Sequence, residues 1–75
     1  MKIEARKIKM WCDEHLSPVA WKRIMVKVSP HFRGSGLKLS DLLEPGENVL
    51  FDDKQYAIIK NTVEETYNMS MAITV

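Results

Sequence analysis

The stretch Gly-Glu-Asn-Val-Leu-Phe-Asp-Asp-Lys-Gln-Tyr-Ala-Ile-Ile, residues 46–59, is the segment around which we expect the rest of this 75-residue sequence to be arranged. Two short runs rich in β-branched and aromatic residues, 49–51 and 56–59, flank the polar tetrapeptide at residues 52–55. Such runs favour strands, and a short polar segment between them favours a tight turn. This pattern predicts a β-hairpin.

The C-terminal end continues in the same style. Apolar residues alternate with polar or small ones over the last nine positions, at Tyr67, Met69, Met71, Ile73 and Val75. A period of two is typical of a strand with one buried face. We therefore predict a further strand over residues 67–75.

The first segment of the chain fits a strand and a helix alike. Apolar Ile8, Met10 and Cys12 alternate with charged or aromatic neighbours, which favours a strand over residues 3–12. An apolar stripe at helical spacing fits residues 3–15 equally well, and the composition is rich in helix-forming residues. We favour the strand and keep the helix as the alternative.

The second segment poses the same choice. The β-branched or aliphatic residues Ile24, Val26 and Val28 alternate with polar or flexible ones, which favours a half-buried strand. A helix over residues 18–28 would have Ser17 at its N-cap and Pro18 at its first position. Here too the strand is the preferred interpretation.

Together these segments predict a mainly β fold in a single domain covering residues 1–75. The expected architecture is a small antiparallel barrel or sheet of four to five strands, with an α+β variant carrying a short N-terminal helix as the alternative. Closure into a barrel would protect strand edges that a flat sheet exposes.

The composition indicates the cellular compartment in which this chain is expected to fold. The single cysteine, Cys12, excludes an internal disulfide and indicates a reducing, cytoplasmic environment. Apolar runs of a few residues fall far short of the roughly 20 needed to span a bilayer, so no membrane partner is expected.

A resemblance to a known family accompanies the hairpin. The residues that carry it are Glu44-Pro45-Gly46-Glu47-Asn48-Val49-Leu50-Phe51, then Tyr56, Glu64-Glu65, Tyr67, Met69, Ser70 and Ile73. In order and spacing they resemble the C-terminal half of GroES-type co-chaperonins, and the likeness covers residues 21–75. It implies a non-enzymatic β-barrel that self-associates and binds a partner protein, with a chaperonin as the implied partner.

That resemblance also suggests which residues act. Terminal strands would pair between subunits, which places the oligomer interface at Ile3, Met69, Met71 and Ile73. The family's hydrophobic mobile loop would fall within residues 13–20 of this sequence, and partner contact is expected at Leu16, Val19 and Trp21.

Charge supplies an alternative function. The net charge is +1, but residues 1–33 carry a net +5 and residues 34–75 a net −4. Basic side chains interleaved with Trp11, Trp21 and Phe32 are typical of proteins that bind single-stranded nucleic acid. Such proteins contact the phosphate backbone with cations and stack the bases on aromatic rings. The alternative is a small nucleic-acid-binding regulator, with helices in the N-terminal half and a dimerising C-terminal hairpin, whose contacts would be Arg6, Lys7, Lys9, Lys22, Arg23 and Lys27.

Catalytic and metal chemistry have little support in the sequence. Cys12 and His15 have the spacing of metal ligands and His31 could add a donor, but structural zinc sites use four ligands and a second ligand pair is missing. The adjacent acidic pairs fit turns and solvent-facing positions better than acid–base catalysis. We predict no enzyme activity, no metal site and no cofactor.

Overall fold

The structure, a computed structural model, describes residues 2–32 and 34–73 and is mainly helical, so the predicted mainly β fold is wrong. In chain order its elements are β1 (Lys2–Glu4), α1 (Ala5–His15), α2 (Pro18–Val28), a 3-10 helix (Ser29–Phe32), α3 (Leu39–Leu43), β2 (Leu50–Asp52) and α4 (Asp53–Tyr67). Neither a barrel nor a four-stranded sheet occurs within the described residues.

The sheet consists of two short antiparallel strands. Ile3 of β1 lies opposite Phe51 of β2, and both side chains are buried. The Ala5 N–H donates to the Val49 carbonyl at 2.9 Å, which extends the pairing by one step. A strand therefore forms at the first run of the predicted hairpin, but its partner comes from the start of the chain.

The second run of the predicted hairpin is helical. Asp52 caps α4 through a reciprocal pair of hydrogen bonds: its Oδ1 accepts from the Gln55 N–H at 2.8 Å, and its own N–H donates to Gln55 Oε1 at 2.9 Å. This capping box satisfies two N–H groups that a helix start leaves without partners. The polar tetrapeptide thus starts helix α4 instead of closing a turn. Ile59 and Val63 form the buried stripe of α4.

Helices α1 and α2 replace the strands that we preferred for the N-terminal half. A strand would place Ile24, Val26 and Val28 on one face. Val26 is 52% exposed, however, whereas Ile24 and Val28 are fully buried. Met10 shows the same pattern in α1, being 60% exposed between buried Ile8 and Cys12. Burial follows the helical period, because both helices press one side against the same core.

The start of α2 agrees with the alternative drawn from the sequence. Ser17 Oγ accepts from the Ala20 N–H at 3.2 Å, and Pro18 occupies the first helical turn. Serine at the N-cap and proline directly after it are favoured because they satisfy or remove the unpaired N–H groups.

The predicted C-terminal strand is also wrong. Tyr67 belongs to α4, which ends at Asn68 in a left-handed conformation with φ of 51°. Residues 68–73 form neither helix nor strand, and Met71 is buried while Met69 is 39% exposed. The last two positions of the predicted strand, residues 74 and 75, lie outside the described residues.

Helix α2 is the central element of the core, packing against α1, α3, α4 and the 3-10 helix. Its Trp21 is buried and donates through Nε1 to the Leu42 carbonyl of α3 at 2.8 Å. Phe32 meets Phe51 with ring centroids 5.6 Å apart, so the 3-10 helix packs against the sheet. This packing covers one side of α2 and leaves its remaining side facing solvent.

Candidate nucleic-acid interface on helix α2

The solvent-facing side of α2 combines cations with apolar side chains. Val19 and Val26 are 55% and 52% exposed, and the three basic residues of the helix are exposed beside them. In a helix of 3.6 residues per turn these positions lie on one face, opposite the buried stripe that contains Trp21 and Ile24. We call this surface the α2 face: Val19, Lys22, Arg23, Val26 and Lys27.

An open groove of about 570 Å³ runs along the α2 face and is bounded by Thr66 of α4. The Lys27 ammonium donates to Thr66 Oγ1 at 3.1 Å, which fixes one edge of the face against α4. Lys22 lines a second depression with Lys9 and Glu44, next to the end of α3. The two lysines therefore mark opposite edges of the face.

The α2 face is positively charged, and its cations have no ion-pair partner among the described residues. Helix α2 contains no acidic residue in its sequence. Within the described residues, Lys22, Arg23 and Lys27 form no ion pair with any carboxylate. Their charges are therefore available to an external anion.

The basic residues of α1 are in a different state. Arg6 lies 3.8 Å from Glu4 and 3.6 Å from Glu47, while Lys7 lies 3.6 Å from Glu4. Lys9 donates to Asp13 at 2.9 Å, and this hydrogen bond raises the pKa of the Lys9 ammonium. The six cations predicted to bind nucleic acid thus divide into three that are paired on α1 and three that are unpaired on α2.

The predicted stacking rings are not presented to a ligand. Trp21 and Phe32 are buried at 2% and 3% exposure. Trp11 is half-buried, and one ring face is covered by His15, with centroids 4.6 Å apart and planes 14° apart. The basic residues and the aromatic residues of the N-terminal half therefore do not form one combined surface.

The residues predicted for partner contact are also separated by the fold. Val19 is exposed, Leu16 is half-buried and Trp21 lies in the core. Only Val19 among them contributes to the α2 face.

The predicted oligomer interface is largely interior. Ile3 and Met71 are 5% and 1% exposed and belong to the core cluster, and Ile73 is half-buried against it. Met69 is exposed but is not part of a strand. These side chains stabilise the single chain and do not present a continuous apolar surface for another copy.

Cys12 lies in the core, where loss of solvation raises the pKa of its thiol to about 12. A thiol in this state stays protonated at neutral pH and is a poor nucleophile and metal ligand. Among residues 2–32 and 34–73, no group of three histidine, cysteine or acidic side chains is arranged to hold a metal ion.

The sequence does not indicate that Val26 belongs to the α2 face or that Thr66 borders it. The strand pattern predicts Val26 on a buried face, although a helical projection places it opposite Trp21. Thr66 is adjacent only because α4 packs beside α2, which no local pattern indicates.

Comparison with protein-family models, curated proteins and solved structures finds no match. No helix in the described part of the chain has the length and apolar character needed to cross a membrane.

Proposed function

We propose that this protein is a non-enzymatic nucleic-acid-binding module that uses the α2 face to contact the phosphate backbone. The observation that carries the proposal is the group of three exposed cations, Lys22, Arg23 and Lys27, on a helix without acidic residues and without ion pairs to the described carboxylates. Phosphate contacts by lysine and arginine are the main source of affinity in such complexes.

Local charge matters more here than net charge. A net charge of +1 gives little long-range attraction to a polyanion. The three cations of the α2 face, however, lie within five residue steps, about 7.5 Å along a helix axis. A compact basic patch on a chain whose remaining residues are net acidic orients the protein, because the acidic regions turn away from the phosphates.

The helical fold meets the structural condition of this function. The nucleic-acid alternative required helices in the N-terminal half, and α1 and α2 fill it. Its dimerising hairpin is absent from the described residues, so the proposal concerns a single chain. The self-associating lid required a barrel, and without a barrel we do not propose it.

Salt dependence of binding tests the proposal. Affinity for a fluorescent DNA duplex would be measured by anisotropy over a range of salt concentrations. Two phosphate contacts by Lys22 and Lys27, or three when Arg23 joins them, predict a slope of about −1.8 to −2.7 in log K against log salt, from about −0.9 for each contact. Absence of binding to both duplex and single-stranded probes would overturn the proposal.

A matched pair of triple variants separates the α2 face from charge in general. The first replaces Lys22, Arg23 and Lys27 by Gln. The control replaces Arg6, Lys7 and Lys9 by Gln and therefore lowers the net charge by the same amount. We expect the first variant to lose at least about tenfold in affinity, since it loses all three contacts, and the control to stay within about threefold.

Equal losses in the two triple variants would show that overall charge, not this surface, governs binding. Circular dichroism of both variants checks that the helices are retained. Glutamine is suitable because its helix propensity is close to that of lysine and arginine.

A further inference from the structure

Resting on the proposed function, we infer that the nucleic acid is duplex DNA and that α2 enters its major groove, with Arg23 facing the base edges. The observation behind this inference is the arrangement of the five side chains of the α2 face. They form a central line with one lysine on each side.

The central line follows from helical geometry. Val19 and Val26 are seven residues apart and point in nearly the same direction, while Arg23 lies between them. Lys22 and Lys27 are five residues apart, which places them about 140° from each other around the helix axis. Their surroundings agree with this separation, since Lys22 lines a depression with Glu44 near the end of α3 and Lys27 contacts Thr66 of α4.

This layout matches what a major groove offers. The groove is about 12 Å wide and about 8.5 Å deep and admits an α-helix. The two lysines would face the phosphates of the two groove walls. The centre would present an arginine, which pairs with the acceptors of guanine, and valine methyl groups, which contact the methyl of thymine.

Single-stranded ligands fit this surface poorly. Binding of single strands relies on aromatic side chains that stack on the bases. The α2 face contains no aromatic residue, Trp21 and Phe32 are buried, and one ring face of Trp11 is covered by His15. Cations without stacking rings favour a ligand whose bases are already stacked in a duplex.

Duplex RNA fits less well than duplex DNA. The major groove of A-form RNA is deep and narrow, and side chains cannot read it. An 11-residue α-helix such as α2 therefore suits the wider major groove of B-form DNA.

The first test compares three probes of the same sequence: duplex DNA, duplex RNA and single-stranded DNA. At one salt concentration, we expect duplex DNA to bind at least about tenfold tighter than the other two. Equal or tighter binding of the single strand or of the RNA duplex would overturn this inference while leaving the proposed function in place. Failure of all three probes would overturn the proposed function itself.

The second test addresses base contact by Arg23. Wild-type protein and the R23K variant would each select sites from a pool of DNA duplexes with a randomised centre. Lysine keeps the charge but loses the planar fork that binds guanine at two atoms. We expect the wild type to enrich a guanine-containing site and R23K to lose about 10- to 100-fold of that preference.

A duplex in which 7-deazaguanine replaces guanine in the selected site is the matched control for the groove. It removes one acceptor from the major groove and leaves the minor groove unchanged. We expect wild-type affinity for it to fall to the R23K level. An enriched site that R23K binds with the same preference, or selection without any enriched site, would overturn base contact by Arg23.

Discussion

The capping box at the start of α4 is the feature whose removal tests the fold most directly. Replacing Asp52 by Ala removes the carboxylate that accepts from the Gln55 N–H at 2.8 Å. Loss of an N-cap acceptor costs about 0.5–2 kcal/mol, and loss of a negative charge at a helix N-terminus costs a further 0.3–1 kcal/mol or so. Because Asp52 is exposed, no desolvation penalty adds to these effects. We expect D52A to lower the free energy of unfolding by about 1–3 kcal/mol.

The assay is urea unfolding followed by far-ultraviolet circular dichroism, with thermal unfolding as a second measurement. Each kcal/mol should lower the midpoint by about 4–8 °C in a chain of this size. The matched control is D52N, because asparagine is as good an N-cap as aspartate and only the charge is lost. We therefore expect D52N to recover at least half of the stability that D52A loses.

Amide exchange locates the effect within the chain. The Gln55 N–H should exchange faster in D52A than in wild type or D52N, since its acceptor is gone. If D52A matches the wild type in stability, or if D52N is no better than D52A, the cap does not act as the structure shows and the start of α4 has been misassigned.

Two further predictions concern the core. W21F removes the Nε1 donor to the Leu42 carbonyl and part of a buried ring, and should lower the free energy of unfolding in urea by about 2–3 kcal/mol. The control W11F changes a half-buried position and should lower it by less than about 1 kcal/mol. Similar losses in the two variants would contradict the hydrogen bond. Burial raises the pKa of the Cys12 thiol from 9.0 to about 12. Below pH 9 the thiol is protonated in both the folded and the unfolded state, so its ionisation does not affect stability. Between pH 9 and 12 the unfolded thiol ionises while the folded thiol does not, and this difference lowers the free energy of unfolding. The stability advantage of wild type over C12A should therefore shrink as the pH rises above 9, and a constant difference up to pH 12 would show that the thiol is not desolvated.

Some local signals in the sequence match the structure, although most of them fitted a strand and a helix alike. Ser17 and Pro18 indicated a helix start, and the run ending at Phe51 indicated a strand. The alternation from Ile24 to Val28 suggested a strand because three β-branched or aliphatic residues happen to lie two apart. Exposed Val26 shows why that inference failed: in a short segment the same apolar residues satisfy a period of two and a period of 3.6.

The residues of the candidate site could be predicted in part from the sequence. Its three cations were among the six residues named from the sequence, and the lack of acidic residues in α2 is readable from the letters alone. What the sequence did not show is which cations are free, since Arg6 is paired with Glu47, a residue 41 positions away. Nor did it show that Trp21 would be buried in the core, where it donates a hydrogen bond to the Leu42 carbonyl of α3.

The amino-acid letters alone contain the Ser17–Pro18 signal for a helix start, the apolar run ending at Phe51, and a basic segment over residues 18–28 without acidic residues. The pairing of the strand ending at Asp52 with Lys2–Glu4, and the helix that starts after Asp52, follow from the packed fold. The physical reason is that caps and side-chain periods act over a few neighbouring residues. Strand partners, ion pairs and burial instead depend on segments that meet only when the core forms.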